Sequence, residues 1–213
     1  MGLQCPKLLW INYKAKEELP PINDSKQAIF DQGHDVGEWA KKVFPKGVDI
    51  SWTASYSEVI SKSKEMLSKR IPLFEAGFQY NNAYSRIDVL KPVEDDEWDI
   101  IEVKSATKID SINYHDVSFQ KYCCEGSGLK IRKCYLMHIN KEFVKRGEID
   151  PNKLFVIEDV SKQVKELSPF VEDNIEAMTK VIEGGRPDIA IGPQCNSPYA
   201  CDLKDAFEVK IYK

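Results

Sequence analysis

Three stretches in the middle of the chain carry the apolar pattern of strands, and the segments around them repeat their apolar residues at helical spacing. Pro72 to Tyr80 (PLFEAGFQY), Ser85 to Leu90 (SRIDVL) and Trp98 to Ser105 (WDIIEVKS) read as strands. Asn81-Asn82 supplies the first turn between them and the acidic run Glu94-Asp95-Asp96-Glu97 the second. Such short links predict an antiparallel meander. Upstream, Ile29, Val36, Ala40 and Val43 predict a helix from Ser25 to Val43, capped by Asp24 or Ser25 and ended by Phe44-Pro45-Lys46-Gly47. Val59, Ile60, Met66 and Leu67 predict another over Tyr56 to Lys69. Downstream, the pattern predicts a helix from Ser111 to Glu125, stopped by Gly126 and Gly128, and a strand from Ile131 to Ile139. A shorter strand, Leu154 to Ile157, then leads into a long helix over Ser161 to Glu183. The tail from Gly184 is rich in Gly, Pro, Asn and Cys and reads as irregular. Helix, three strands, helix, strand is the order of a mixed α/β fold with helices covering a central sheet. A length of 213 residues fits one domain over residues 1–213.

Charge changes the picture only locally. A net charge of −4 argues against a surface coated with phosphate-binding cations, yet what matters for nucleic acid is the field along one groove. Two basic clusters stand out: Lys62, Lys64, Lys69 and Arg70, and then Lys130, Arg132 and Lys133. Each reads either as a solvated face or as a DNA contact. No apolar run approaches the roughly 20 residues of a membrane span, and MGLQCPKLLWINYK lacks the basic leader and cleavage site of a signal peptide. The expectation is a cytoplasmic protein without a membrane partner, whose six cysteines stay reduced. Nothing in the sequence sets an oligomeric state.

Charged groups interrupt strands that ought to be apolar. Asp88 lies between Ile87 and Val89, and Glu102 follows Ile100-Ile101, with Lys104 two residues further on. Alternation sets Glu102 and Lys104 on one face. If Asp88 shares that face, two carboxylates and an ammonium converge, a costly cluster beside a core unless something binds there. With the Val103 carbonyl, the two carboxylates make a hard-oxygen site suited to Mg²⁺ or Mn²⁺. Such an ion polarises a phosphoryl oxygen and acidifies a bound water. Lys104 would position or help deprotonate that water, or offset charge on the phosphorane. The plain alternative is an exposed Glu102–Lys104 salt bridge. Glu75, alone in the apolar PLFEAGF, is a spare carboxylate, either a further ligand or orienter or a turn-end side chain in water. His138, in an apolar strand, reads as a satisfied interior histidine, and His115, beside Asp116, as a helix cap or a substrate contact.

The D-x(13)-E-x-K spacing and the element order resemble the PD-(D/E)XK nuclease superfamily, specifically its RecB-like branch. CPKLLW, the helix of Gly33, Val36, Gly37 and Glu38, LFEAGF, IEVKSAT, DVSFQKY and a terminal C-x(5)-C are similar to one subfamily of it, over almost the whole chain. That subfamily is similar to the CRISPR-associated iron–sulfur exonucleases. The resemblance implies a restriction-endonuclease-like core and a metal-dependent DNA nuclease, an exonuclease on single-stranded or frayed ends. It also implies that Asp88, Glu102 and Lys104 are catalytic and that Gln120 positions substrate, where the residue-level alternative is a polar surface side chain. A non-catalytic DNA-binding or assembly module is the rival reading. The chain departs from the pattern in places. Ile87 precedes Asp88 where the family often has Pro. Cys124, with Tyr122 nearby, stands where Tyr is usual. Gly37 stands where many relatives place a metal-binding histidine, so His34 or Glu38 would have to substitute.

The resemblance further implies a [4Fe-4S] cluster on one N-terminal and three C-terminal cysteines. Cys5, Cys195 and Cys201 match three of those places, but no Cys follows Cys201. A four-thiolate cluster would need Cys123, Cys124 or Cys134, or a non-Cys ligand, and is otherwise lost. Zn²⁺ in the same site is the further option.

Overall fold

The computed structural model describes residues 1–50 and 55–204. In chain order these form α1 (Pro6–Lys14), α2 (Asp24–Lys41), β1 (Val48–Asp49), α3 (Tyr56–Leu67), β2 (Leu73–Tyr80), β3 (Ala83–Pro92) and β4 (Glu97–Lys104). There follow α4 (Ser111–Gly126), β5 (Lys130–Ile139), the single turn α5 (Pro151–Leu154), β6 (Phe155–Asp159), α6 (Ser161–Leu167) and α7 (Val171–Glu183). Two compact units emerge, one of Ala28–Pro169 and one of Met1–Gln27 with the chain from Phe170 onward.

The first unit is an α/β layer built on a mixed six-stranded sheet in the order β1-β2-β3-β4-β5-β6. β2, β3 and β4 make the expected antiparallel meander. Its two turns carry left-handed residues, Asn81 in the first and Asp95 and Asp96 in the second, as short polar turn residues allow. β5 lies parallel to β4, a pairing that needs a crossover, and α4 supplies it. Val36 and Ala40 of α2 pack with Phe74, Val89, Ile101 and Met137, one residue from each of β2 to β5. α4 packs across β2 to β5 and buries Val117, Cys123 and Cys124. Each fully buried aliphatic side chain of this kind contributes about 1.5–3 kcal/mol.

Three members of the two basic clusters are bound to groups of their own unit. Arg70 donates to the carbonyls of Val93 and Glu97 and lies over the Trp98 ring. Arg132 grips the buried Asp99 through two nitrogens, at 2.9 and 2.6 Å, and Lys133 pairs with Asp159 at 2.8 Å.

In the second unit α1 packs against α7. The Trp10 indole donates to the Gly184 carbonyl at 3.0 Å, and Arg186 binds both oxygens of Glu18. Cys5, Leu8, Ile11 and Leu203 form its apolar cluster.

Two expectations need correction. The helix read as continuous from Ser161 to Glu183 is broken by a 3-10 turn over Ser168–Phe170. Pro169 has no N–H to donate and its ring clashes with the preceding turn. The cap of α4 is Asp110 rather than His115: the Asp110 N–H is accepted by Asn113 Oδ1 at 3.0 Å. Among the described residues no helix is long and apolar enough to cross a membrane.

Candidate active site

The meander is interrupted in one place only a few residues wide. The β2–β3 ladder runs Phe74 opposite Val89 and Ala76 opposite Ile87, and it skips the pair between them, Glu75 and Asp88. The β3–β4 ladder ends at Val89 opposite Ile101, one residue short of Asp88 and Glu102. Three carboxylates thus fall at one level of three neighbouring strands. Like charges side by side on adjacent strands repel, and the ladder gives way there. Glu75 takes φ +57°, a left-handed conformation uncommon for any residue but glycine and rarer still inside a strand. Such strain persists where surroundings over-determine it. Replacing Glu75 by Gly should therefore leave the protein about 1 kcal/mol more stable than replacing it by Ala, the reverse of the usual strand order. Urea melts of the two variants measure the difference.

Asp88 fills the gap. Its Oδ2 accepts the Val103 backbone N–H at 2.7 Å, a donor that the open ladder would otherwise leave unpaired. Burial, then the adjacent Glu102 carboxylate, push the Asp88 carboxyl well above the usual range, although the Val103 N–H pulls it down. The Asp88 carboxyl therefore takes up a proton more readily than a free carboxylate, at a place where a cation would also offset the charge.

Glu102 is buried and held from two sides. Lys104 Nζ donates to Oε1 at 2.8 Å and Gln120 Nε2 to Oε2 at 2.5 Å. Gln120 is itself buried, so the reading of it as a surface polar residue falls. It stands behind Glu102 and orients it, and its own Oε1 is buried without a partner among the described residues. Lys104 also reaches Asp116 of α4 at 2.8 Å. Burial lowers the Lys104 ammonium, but Glu102 and Asp116 outweigh burial and hold it above its ordinary value. Lys104 is therefore held as a cation in the metal-free protein, and the exposed Glu102–Lys104 bridge is excluded, because Glu102 is buried.

These groups open into a cleft of about 610 Å³ between α2 and strands β1 to β4. Five carboxylates line it, Glu38, Asp49, Glu75, Asp88 and Glu102, against three cations, Lys41, Arg86 and Lys104. With all five carboxylates ionised, two negative charges are left over. Glu38 and Glu75, both named from the sequence, face the cleft already paired. Lys41 binds Glu38 and Asp49, each at 2.5 Å, and Arg86 binds Glu75 at 2.8 Å. Burial raises the Glu75 carboxyl, with Arg86 and Lys41 opposing. His34 and Gly37 lie along the same wall, and a side chain at Gly37 would meet nothing within 4 Å of its Cβ.

Lys41, Asp49, Arg86 and Asp116 were not picked out from the sequence. Arg86 stands two residues before Asp88 on the same strand face, and Asp116 stands four before Gln120 on the same helix. Both offsets were available signals. His138 is buried as expected, with Nε2 on Glu158 at 2.8 Å and Nδ1 on the Ile139 carbonyl at 3.1 Å. Tyr122 is engaged away from the cleft: its hydroxyl accepts from Asn81 at 3.2 Å and its ring meets Tyr80.

In the other unit Cys5, Cys195 and Cys201 line one pocket of about 270 Å³ with Ile189, Ile191 and Leu203. All six cysteines are free thiols. Cys123, Cys124 and Cys134 are buried in the sheet unit, where burial pushes Cys123 and Cys134 up to about 12 and Cys124 well above its ordinary value. They are small core residues there. The terminal trio supplies three thiolates, and four are needed for a [4Fe-4S] cluster. As a donor set it is incomplete among the described residues.

Among the described residues no three His, Cys, Asp or Glu side chains are disposed to hold a metal ion together. A Mg²⁺ site does not require three: that ion keeps several waters and takes one or two carboxylates along with substrate phosphate. Asp88 and Glu102 bring two carboxylates to the cleft, which Val103 also lines. No protein-family model matches the chain, and no curated protein matches it.

Proposed function

We propose that the protein is a Mg²⁺- or Mn²⁺-dependent deoxyribonuclease of the PD-(D/E)XK type. In this reading its sheet unit is a restriction-endonuclease-like core acting in the cytoplasm on single-stranded or frayed DNA ends. The observation that carries the reading is the half-buried Asp88 at the level of the buried Glu102, with the Lys104 cation bound to Glu102. Nothing in packing requires two interior carboxylates there, whereas a phosphodiesterase needs a divalent ion at such a pair.

Asp88, Glu102 and the Val103 carbonyl would hold the ion, which supplies Lewis acidity at the phosphoryl oxygen and acidifies a bound water. The chain's own groups do the rest. Lys104, kept protonated by Glu102 and Asp116, donates to the phosphoryl oxygen on which charge grows. Gln120 fixes the Glu102 carboxylate so that its free lone pairs face the cleft. The water oxygen bonds to phosphorus as the ester P–O bond to the leaving strand breaks, the water giving its proton to solvent and the leaving oxygen taking one from solvent. The excess of two negative charges in the cleft favours a divalent cation.

A labelled oligonucleotide digest in Mg²⁺, Mn²⁺ and EDTA tests the proposal. We expect a product ladder in either metal and none in EDTA, and its direction reports the polarity. Cleavage undiminished by EDTA, or none in any metal, would sink it. The second reading, a module that binds DNA without cutting it, draws on Gly37 and on the ion pairs that already occupy Glu38 and Glu75. Tight binding of a single-stranded oligonucleotide with no cleavage in Mn²⁺ would favour that one.

A further inference from the structure

The face of β3 that carries Asp88 continues outward through Arg86 to Tyr84, each step two residues or about 7 Å. Arg86 lines the cleft. Tyr84 leans toward β2, where Gly77 makes room for it: a Cβ at Gly77 would lie 2.6 Å from the Tyr84 hydroxyl. That hydroxyl is buried and makes no hydrogen bond to any described residue. Edge-on against Tyr84 stands Tyr56, the first residue of α3, with ring centroids 4.7 Å apart and planes at 69°. Tyr56 is nevertheless 58% exposed. A carboxylate pair, a cation and an aromatic pair therefore follow one another along β3, completed by Glu102 of β4 and Tyr56 of α3.

We infer that Arg86, Tyr84 and Tyr56 form a nucleotide subsite that leads a single strand of nucleic acid into the cleft. This inference rests on the nuclease reading. Arg86 takes the phosphate next to the one at Lys104, exchanging part of its contact with Glu75 for it. The base of that nucleotide stacks on Tyr56, whose ring is already oriented by Tyr84, so little ordering is needed on binding. Duplex DNA, with its bases stacked on one another, cannot use Tyr56, and the subsite selects single strands. Stacking accepts any base, so the preference concerns strandedness and not sequence.

Fluorescence anisotropy of a short labelled oligothymidylate, bound to the full chain in EDTA so that nothing is cut, provides the test. Tyr56→Ala should weaken binding roughly ten-fold or more. Tyr56→Leu, which keeps apolar bulk without the aromatic face, should lose nearly as much. Both should match wild type on a strand of the same length made abasic, because no base remains to stack. Arg86→Gln should lower the slope of log affinity against log salt by about one, while the Tyr56 variants leave that slope alone. Circular dichroism checks that each variant is folded. Tyr56 variants that bind thymidylate as wild type does, or that lose as much on the abasic strand, overturn the subsite while the nuclease reading stands. A wild-type protein that neither binds nor cuts the oligonucleotide overturns both.

Discussion

Lys104→Ala protein is expected to hydrolyse DNA about 10²- to 10³-fold more slowly than wild type in saturating Mg²⁺, the loss typical of one preorganised transition-state donor. The geometry makes the substitution a clean test of the catalytic role. Gln120 still holds Glu102 at Oε2, so the carboxylate keeps its place when the ammonium goes. Glu102 does lose its bond at Oε1 and Asp116 loses its partner, which should lower stability by about 2 kcal/mol. A urea melt separates that loss from the kinetic one, since assays well below the melting point use folded protein. Digestion at the wild-type rate would remove Lys104 from the chemistry and, with it, the basis of the nuclease reading.

The second large effect lies in the response of stability to pH and metal. Burial and Glu102 raise the Asp88 carboxyl in the folded protein, with Glu75 adding to this and the Val103 N–H opposing. The folded state therefore holds that proton more tightly than the unfolded chain does. Its stabilising effect is complete below the ordinary carboxylate range and is lost as pH rises through the elevated folded value. A divalent ion on Asp88 and Glu102 displaces the proton, so metal stabilisation should grow as pH rises. At a hundredfold excess over Kd the ion contributes about 2.7 kcal/mol, roughly 5–10 °C in Tm for a chain of this size. Thermal melts with Mn²⁺ should show this gain at about pH 8 and much less of it near about pH 5. Asp88→Asn should lack the gain and flatten the pH slope of the metal-free protein. A Tm gain equal at both pH values, or one kept by Asp88→Asn, would contradict the assignment.

What the sequence made legible, and what it did not, follows from the range of each signal. The β2–β4 meander is local: alternation sets the strands and short polar turns join them, so its residues could be read directly. Asp88, Glu102 and Lys104 stood out because charge inside an apolar strand breaks a local rule. Gln120 was singled out by the resemblance alone, and the residues themselves showed only a helix polar side chain, since its burial depends on α4 crossing back over the sheet. β1 is two residues long and has no periodicity to detect, so Asp49 and its partner Lys41 stayed hidden. Arg86 was in plain view within SRIDVL, but its pairing with Glu75 depends on the cross-strand register. The break at Ser168–Phe170 was signalled by Pro169, and the apolar spacing on both sides masked it.

The division of the chain also bears on how it is made. The segment from Ala28 to Pro169 is spliced into the other unit, because α1 packs against α7 and the chain that follows it. On the ribosome, α1 emerges first and waits while every strand of the sheet is synthesised. Leu8, Leu9 and Ile11, buried in the finished protein, stay uncovered over that interval. The sheet unit has all its elements available before α7 appears, and can collapse as a body of its own. Its closure brings the two halves of the other unit out of a long, entropically unfavourable loop. A nascent chain stalled before Phe170 should thus resist protease across the sheet and remain cleavable at α1.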